Sequence, residues 1–157
     1  MATIKKKPSG YGQFGGLSPY GNVTALAFFL ATNASGAVID SDTTVAVASG
    51  DVIDLGELPE GMRLDDAQIL IKTGMTATVI GSLGFKYVDG DSTEVPQDAA
   101  YFINAGDLAT AGRLRANTGK LVTLPKAARL ILTTGGAANA KASDIKVIVS
   151  GELTGPR

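Results

Sequence analysis

The sequence contains no cysteine, no histidine and no tryptophan. Without cysteine the chain can form no disulfide, and it has neither a thiolate nucleophile nor a zinc–thiolate site. Without histidine it lacks the commonest general base and the commonest ligand for transition metals. These absences weigh against an enzyme, a metal site or a bound cofactor, so we expect stability to come from packing or association.

Long hydrophobic runs are also missing. No apolar segment approaches the roughly 18 to 20 residues that a membrane span requires. The first residues, MATIKKKPSGYGQFGG, are basic but lack the apolar centre of a secretory signal. We therefore expect no membrane association and no export through the Sec pathway.

The 157-residue chain is long enough for one domain with a buried core. Its 20 glycines and its aromatic content of 6% favour short strands and turns over helices. The net charge is −1, and because residues 1–22 carry three lysines and no acid, the remainder carries −4. A mildly acidic body gives no reason to expect a nucleic-acid-binding face, which usually shows clustered basic residues.

Residues 1–22 are predicted to form an extended N-terminal arm, and residues 23–157 the folded domain. The arm has too few apolar side chains, separated by glycine, to pack a core of its own. Its larger apolar residues recur every three positions, a spacing that places anchors on one side of an extended segment. A disordered tail is the alternative, since a segment that orders on binding has the same composition.

The densest alternation of apolar and polar residues lies between positions 50 and 90. Ile69 and Ile71 share one face, and further along a second face carries Val79, Leu83, Phe85 and Tyr87. A period of two indicates half-buried strands. We predict a short strand at 52–55, a corner at 59–61, and a long antiparallel pair, 68–73 with 79–88, as the spine of a β-sandwich.

The rest of the chain also predicts strands. Residues 23–31 are apolar on both faces, which indicates a strand covered on both sides, either within the domain or by a neighbouring subunit. Residues 104–117 are predicted to form an irregular crossover between sheets, and residues 133–141 to form a mobile loop. Further short strands or edge segments are expected at 37–39, 43–48, 99–103, 120–124, 129–133 and 145–153. The fold class is therefore all-β, a jelly-roll-like antiparallel β-sandwich of about eight to ten short strands.

No residue pattern supports catalysis. Asp65 and Asp66 are adjacent and should point to opposite faces of an extended strand, so they cannot easily share a proton or a metal. The sequences DSD at 40–42 and DGD at 89–91 lack the rest of a calcium-loop signature. Arg113 and Arg115 could pair with a partner's carboxylates or simply line a solvated strand face.

Four segments form a pattern along the chain: DVIDLGELPEG at 51–61, TVIGSLGFKYVDGD at 78–91, ARLILTTGGAA at 128–138 and KVIVSGEL at 146–153. Together they resemble small structural proteins of tailed bacteriophages, the capsid cement or head decoration proteins. The resemblance, over roughly residues 50–153, implies a jelly-roll virion protein. Such a protein is made in the host cytoplasm, sits on the capsid exterior and bridges subunits of the major capsid protein.

This reading predicts a homo-dimer or homo-trimer whose arm crosses adjacent capsid subunits, where avidity multiplies a modest affinity. The predicted partner-binding residues are Lys5, Lys6, Lys7, Tyr11, Phe14, Leu17 and Tyr20. The alternative is a phage tail or receptor- or carbohydrate-binding jelly-roll module, which would need exposed aromatic platforms. A metal-dependent cupin enzyme lacks its ligands here, and an unrelated β-sandwich is the remaining reading.

Overall fold

A computed structural model describes residues 1–5 and 23–154, and these form ten β-strands. None of the described residues forms a helix, so this part of the chain offers no helical segment able to cross a membrane. The strands are β1 (Thr3–Lys5), β2 (Val23–Thr32), β3 (Val52–Leu58), β4 (Met62–Thr73), β5 (Ile80–Tyr87), β6 (Asp98–Asp107), β7 (Gly112–Arg115), β8 (Val122–Thr123), β9 (Ala128–Gly135) and β10 (Ser143–Leu153).

The strands build two sheets that pack face to face. Sheet I has the order β1-β3-β9-β5-β6, and sheet II has the order β2-β10-β4-β7, with β8 also paired to β4. Every pairing between named strands is antiparallel except that of β1 with β3, which is parallel. The predicted all-β, jelly-roll-like sandwich is confirmed.

Alternating side chains explain why these segments are strands. In β10, every second residue from Ser143 to Leu153 is buried and the residues between are partly exposed. Ile69, Leu83 and Leu132 likewise have exposures of 0%. Each sheet therefore contributes one apolar face to a shared core, as the period of two predicts.

The predicted pairing of residues 68–73 with 79–88 is wrong. These segments lie in β4 and β5, which belong to different sheets. The chain does not turn back after Thr73, because Met75 enters the core with 0% exposure and donates its backbone N–H to the carbonyl of Leu108 at 2.9 Å. Gly74 permits this crossing, since a Cβ there would lie 2.0 Å from the carbonyl oxygen of Ala109.

Two further sheet-to-sheet connections agree with the sequence. The corner predicted at 59–61 passes the chain from β3 in sheet I to β4 in sheet II, with Gly61 at a φ of 73°. The crossover predicted within 104–117 is confirmed, because β6 lies in sheet I and β7 in sheet II. The predicted irregularity is wrong for much of that segment, however, because β6 continues to Asp107 and β7 spans Gly112–Arg115.

The segments 37–39 and 43–48 are not strands. They contribute only the isolated bridges Thr32–Val38 and Ala37–Ala46. The turn before them is organised by Asn33, whose Oδ1 accepts hydrogen bonds from the backbone N–H groups of Ser35 at 3.0 Å and Ala37 at 3.1 Å. The long connection from β2 to β3 is therefore a folded loop across one end of the sandwich.

The loop between β9 and β10 is anchored by Asn139, which is 1% exposed. Its Oδ1 accepts from the backbone N–H of Thr76 at 3.0 Å, and its Nδ2 donates to Thr32 Oγ1 at 3.0 Å and to the carbonyl of Lys141 at 2.9 Å. The mobility predicted for residues 133–141 does not fit this anchoring. A buried amide with several partners ties three loops together.

The strand β2 is covered on one face only. Phe28 and Leu30 point into the core with exposures of 5% and 0%. On the other face Val23 is 78% exposed and Phe29 is 48% exposed. Cover on both sides within the domain is therefore wrong, and cover by a neighbouring subunit stays a prediction.

Candidate interaction surface

The carboxylate pairs noted in the sequence have partners within the chain. Asp65 Oδ1 lies 2.7 Å from Arg63 Nε, and Asp66 pairs with Arg115. Neither aspartate enters the core, because a β-bulge shifts the register where β4 meets β10 between Ser150 and Gly151. The predicted placement on opposite faces is therefore wrong, although the two carboxylates still have separate cationic partners.

The alternating aspartates of the loops act as turn-stabilising groups. Asp42 Oδ1 accepts the backbone N–H of Lys5 at 3.1 Å, and Asp91 Oδ1 accepts that of Gln97 at 2.7 Å. Asp89 forms an ion pair with Lys126 at 2.8 Å, and the hydrogen bond in that pair lowers the pKa of Asp89. Among residues 1–5 and 23–154, no group of three or more acidic residues is placed to hold a metal ion.

The outer face of sheet II carries a row of apolar and basic side chains from four strands. Strand register brings Phe29 of β2 opposite Lys146 of β10, Lys146 opposite Leu70 of β4, and Leu70 opposite Arg113 of β7. Opposed residues on one face of an antiparallel sheet lie close enough for their side chains to touch. Four residues from distant parts of the sequence thus form one row across the sheet.

Two polar contacts order this row. Lys146 Nζ lies 5.3 Å from the centroid of the Phe29 ring, a cation–π distance. One guanidinium nitrogen of Arg113 donates to Gln68 Oε1 at 3.0 Å. Both cations keep exposed surface while their aliphatic stems cover the sheet.

A groove of 570 Å³ follows this row, and we name it the sheet II groove. The residues that line it include Phe29, Leu70, Lys72, Arg113, Asp144 and Lys146. Lys72 pairs with Asp144 at 3.1 Å, but both side chains are more than half exposed, so that ion pair contributes little to stability. The lining has three cations and one anion, so it is electropositive on an otherwise acidic body.

The far end of the same face is more balanced in charge. Arg63 contacts Asp65 at 2.7 Å and Glu152 at 2.7 Å. The hydrogen bond with Asp65 raises the pKa of Arg63 above its ordinary value. Net positive charge therefore concentrates at the groove, where the row of Phe29 and Lys146 crosses the sheet.

The predicted site residues fall into two groups. Lys5 lies in β1 at the edge of sheet I, whereas Lys6, Lys7, Tyr11, Phe14, Leu17 and Tyr20 lie outside the described residues, so the arm stays a prediction. Of the two arginines of β7, Arg115 pairs with Asp66 and Arg113 faces the groove. Sequence reasoning missed the groove itself, since nothing in the sequence says that residues 29, 70, 113 and 146 are neighbours.

The fold defines a class of protein, the two-sheet jelly-roll-like sandwich, and comparison with solved structures finds the same fold in phage capsids. A chain in the capsid of Ralstonia phage GP4 matches with a TM-score of 0.67 and 17% identity, covering 96% of this chain and 97% of that one. A chain in the capsid asymmetric unit of cyanophage Pam1 matches with a TM-score of 0.57 and 17% identity, covering 94% and 99%.

A third match is to a chain in the acid-stable capsid of the Helicobacter pylori bacteriophage KHP30. Its TM-score is 0.51 and its identity 13%, and the match covers 85% of this chain and 94% of that one. No family model matches the sequence, and none of the curated proteins gives a significant match. Three phage capsid structures thus contain chains that share this fold. Their low sequence identities show similarity of fold alone.

Proposed function

We propose that this chain is a structural virion protein, a cement or decoration protein that binds the outside of a phage capsid and bridges major capsid protein subunits. The observation that carries the proposal is the match to the GP4 capsid chain, with a TM-score of 0.67 over nearly the full length of both chains. The match thus extends over nearly all of both chains rather than over part of a sandwich core that many unrelated proteins share.

The chemistry of the chain suits a protein that works by binding. It has no histidine or cysteine to act as general base, nucleophile or soft metal ligand. It presents instead an electropositive groove with apolar residues Phe29 and Leu70 among its lining. Apolar surface with a charged rim is the usual composition of a protein interface.

The proposed mechanism is bridging with avidity. The body associates as a homo-dimer or homo-trimer, and each copy presents its sheet II groove and its arm to the lattice. Because a capsid repeats the same site many times, an oligomer that engages several sites gains affinity without new contacts. Because residues 3–5 of the arm are paired in sheet I, residues 6–22 are the part that crosses onto adjacent capsid subunits, and Lys5, whose side chain is exposed, meets acidic capsid surface together with Lys6 and Lys7.

The test is co-sedimentation of the purified protein with empty heads assembled from the cognate major capsid protein. We expect saturable binding at a fixed ratio to the capsid subunit, measured by mass spectrometry of the pellet. The absence of saturable binding would contradict the proposal and favour the tail or carbohydrate-binding alternative, for which a glycan array is the next experiment.

The same assay tests the two proposed contact surfaces. The double variant Arg113→Glu and Lys146→Glu should weaken binding roughly tenfold, because it reverses two charges at the groove. Lys86→Glu on β5 of sheet I is the matched control and should bind within about twofold of wild type. For the arm, serine at Tyr11, Phe14, Leu17 and Tyr20 should weaken binding, and unchanged binding would remove the arm from the mechanism.

A further inference from the structure

The N-terminal strand β1 is bound to sheet I much as a short peptide is bound to a receptor. Its register with β3 is parallel, with Thr3 opposite Val52, Ile4 opposite Ile53 and Lys5 opposite Asp54. Ile4 is buried in the core at 2% exposure, whereas Thr3 and Lys5 are exposed. One apolar anchor between two exposed residues, added to a sheet edge, is the pattern of β-strand addition.

Two aspartates complete the binding site on either end of β1. Asp51 Oδ1 accepts the backbone N–H of Ala2 at 2.9 Å, and Asp51 Oδ2 accepts that of Ala48 at 2.9 Å. Asp42 makes two bonds with Lys5: its Oδ1 accepts the backbone N–H of Lys5 at 3.1 Å, and its own N–H donates to the carbonyl of Lys5 at 3.0 Å. We name this site, formed by Asp42 and residues 51–54, the β1 socket.

The strand is joined to the rest of the domain by a long connection. Seventeen residues, 6–22, separate the end of β1 from the start of β2, and five of them are glycines. Fully extended, that length spans about 56 to 61 Å. A domain of this size has a radius of gyration of about 15 Å, so the connection is long enough to reach the socket of an adjacent copy.

We propose that in the oligomer the β1 socket of one copy is occupied by the N-terminal strand of a second copy. The three-residue strand makes the same backbone bonds and buries the same Ile4 whichever chain supplies it. Whether the strand comes from the same chain or from a second copy therefore depends on geometry and on local concentration. An adjacent copy in the oligomer provides a suitable geometry and a high local concentration of the strand. The inference rests on the self-association in the proposed function, and it adds the segment and the site through which copies are linked.

The absence of native cysteine makes a disulfide test clean. Residues 3 and 52 are register partners on adjacent strands, about 4.8 Å apart, which is within the Cα–Cα range of a disulfide. One chain carries Thr3→Cys alone and a second carries Val52→Cys alone. The two are mixed, unfolded and refolded together, and oxidised, so a disulfide between residues 3 and 52 can form only between copies.

We expect the mixture to give a disulfide-linked heterodimer on a non-reducing gel, confirmed by mass spectrometry of the linked peptides. Adding Ile4→Asp to the Thr3→Cys chain should abolish the heterodimer, whereas Ile4→Val should retain it. A Thr3→Cys chain mixed with a Thr110→Cys chain is the control for random collision, since Thr110 is exposed and lies outside the socket.

A third chain that carries both Thr3→Cys and Val52→Cys separates the alternatives. If this chain oxidises entirely to a covalent monomer while the mixture gives no heterodimer above the collision control, the strand stays within its own chain and the inference is overturned. The absence of any disulfide would overturn it as well, because β1 would then not occupy the socket. Neither result depends on head binding, so the proposed cement function is judged separately by co-sedimentation.

Discussion

Replacing Asn139 with alanine should lower the free energy of unfolding by about 3 kcal/mol. Three short hydrogen bonds disappear, those with the backbone N–H of Thr76, with Thr32 Oγ1 and with the carbonyl of Lys141. A typical intramolecular hydrogen bond contributes a net of about 1 kcal/mol. Thr32 Oγ1 retains its contact with Ser143 Oγ at 2.9 Å and with the carbonyl of Lys141 at 2.9 Å, so the loss falls mainly on the backbone N–H of Thr76.

This loss converts into a measurable shift of the melting temperature. For a domain of about 150 residues, 1 kcal/mol corresponds to about 2 to 4 °C, so Asn139→Ala should melt about 6 to 12 °C lower. Thermal unfolding followed by circular dichroism, at fixed protein concentration because of the expected association, measures the shift. Urea unfolding should show a lower midpoint with an unchanged slope.

The matched control is Asn104→Ala, since Asn104 is exposed at the edge strand β6 and its side chain makes one long hydrogen bond within residues 1–5 and 23–154, at 3.5 Å from Ser82 Oγ. This variant should stay within about 0.5 kcal/mol of wild type. Equal effects of the two substitutions would refute the reasoning, because a buried anchor of three loops must cost more to remove than a solvated amide. The loop of residues 136–142 would then be held by something other than Asn139.

Two further substitutions test the loop between β9 and β10 and the contribution of the Asp98 carboxylate. Gly136→Ala should lower the urea midpoint strongly, because Gly136 has a φ of 78° and a Cβ there would lie 2.0 Å from the carbonyl oxygen of Thr78. Gly119→Ala, with nothing within 4 Å of its Cβ, should be nearly neutral, and equal midpoints would contradict this. Burial raises the pKa of Asp98, but hydrogen bonds from Lys120 and the backbone of Ala100 outweigh it and lower the pKa overall. The stability this carboxylate adds is present above its unfolded pKa and lost as pH falls through the folded value, so Asp98→Asn should lose less melting temperature between about pH 5 and 2 than wild type. Parallel losses in the two proteins would refute that assignment.

The sequence was most informative about which face of each strand is buried. Ile69 and Ile71 point into the core, as do Leu130 and Leu132, in the alternation that the residues predict. A strand buries its apolar side chains when they all lie on the face toward the core. The alternation of apolar and polar residues within a single segment is therefore enough to identify that face. The corner at 59–61 was equally visible, because its residue types favour turn conformations.

The sequence did not determine which strands pair with each other. The alternation in 68–73 is the same whether β4 pairs with β5 or with β10, so the predicted hairpin and the actual crossover fit the residues equally well. The bulge near Asp65 depends on the backbone of β10, which is about 85 residues away. Strand β1 was missed because three residues around one isoleucine carry no periodic signal.

The sequence alone determined that the protein is an all-β sandwich, that it lacks histidine and cysteine chemistry, and which side chains face the core. Only the tertiary structure decided that Phe29, Leu70, Arg113 and Lys146 form one row, and that Ile4 fills a socket at the edge of sheet I. The physical reason is how far apart in the sequence the interacting residues lie. Side-chain alternation is a property of neighbouring residues, whereas pairing and surface clusters depend on hydrogen-bond register between strands that are far apart in the chain.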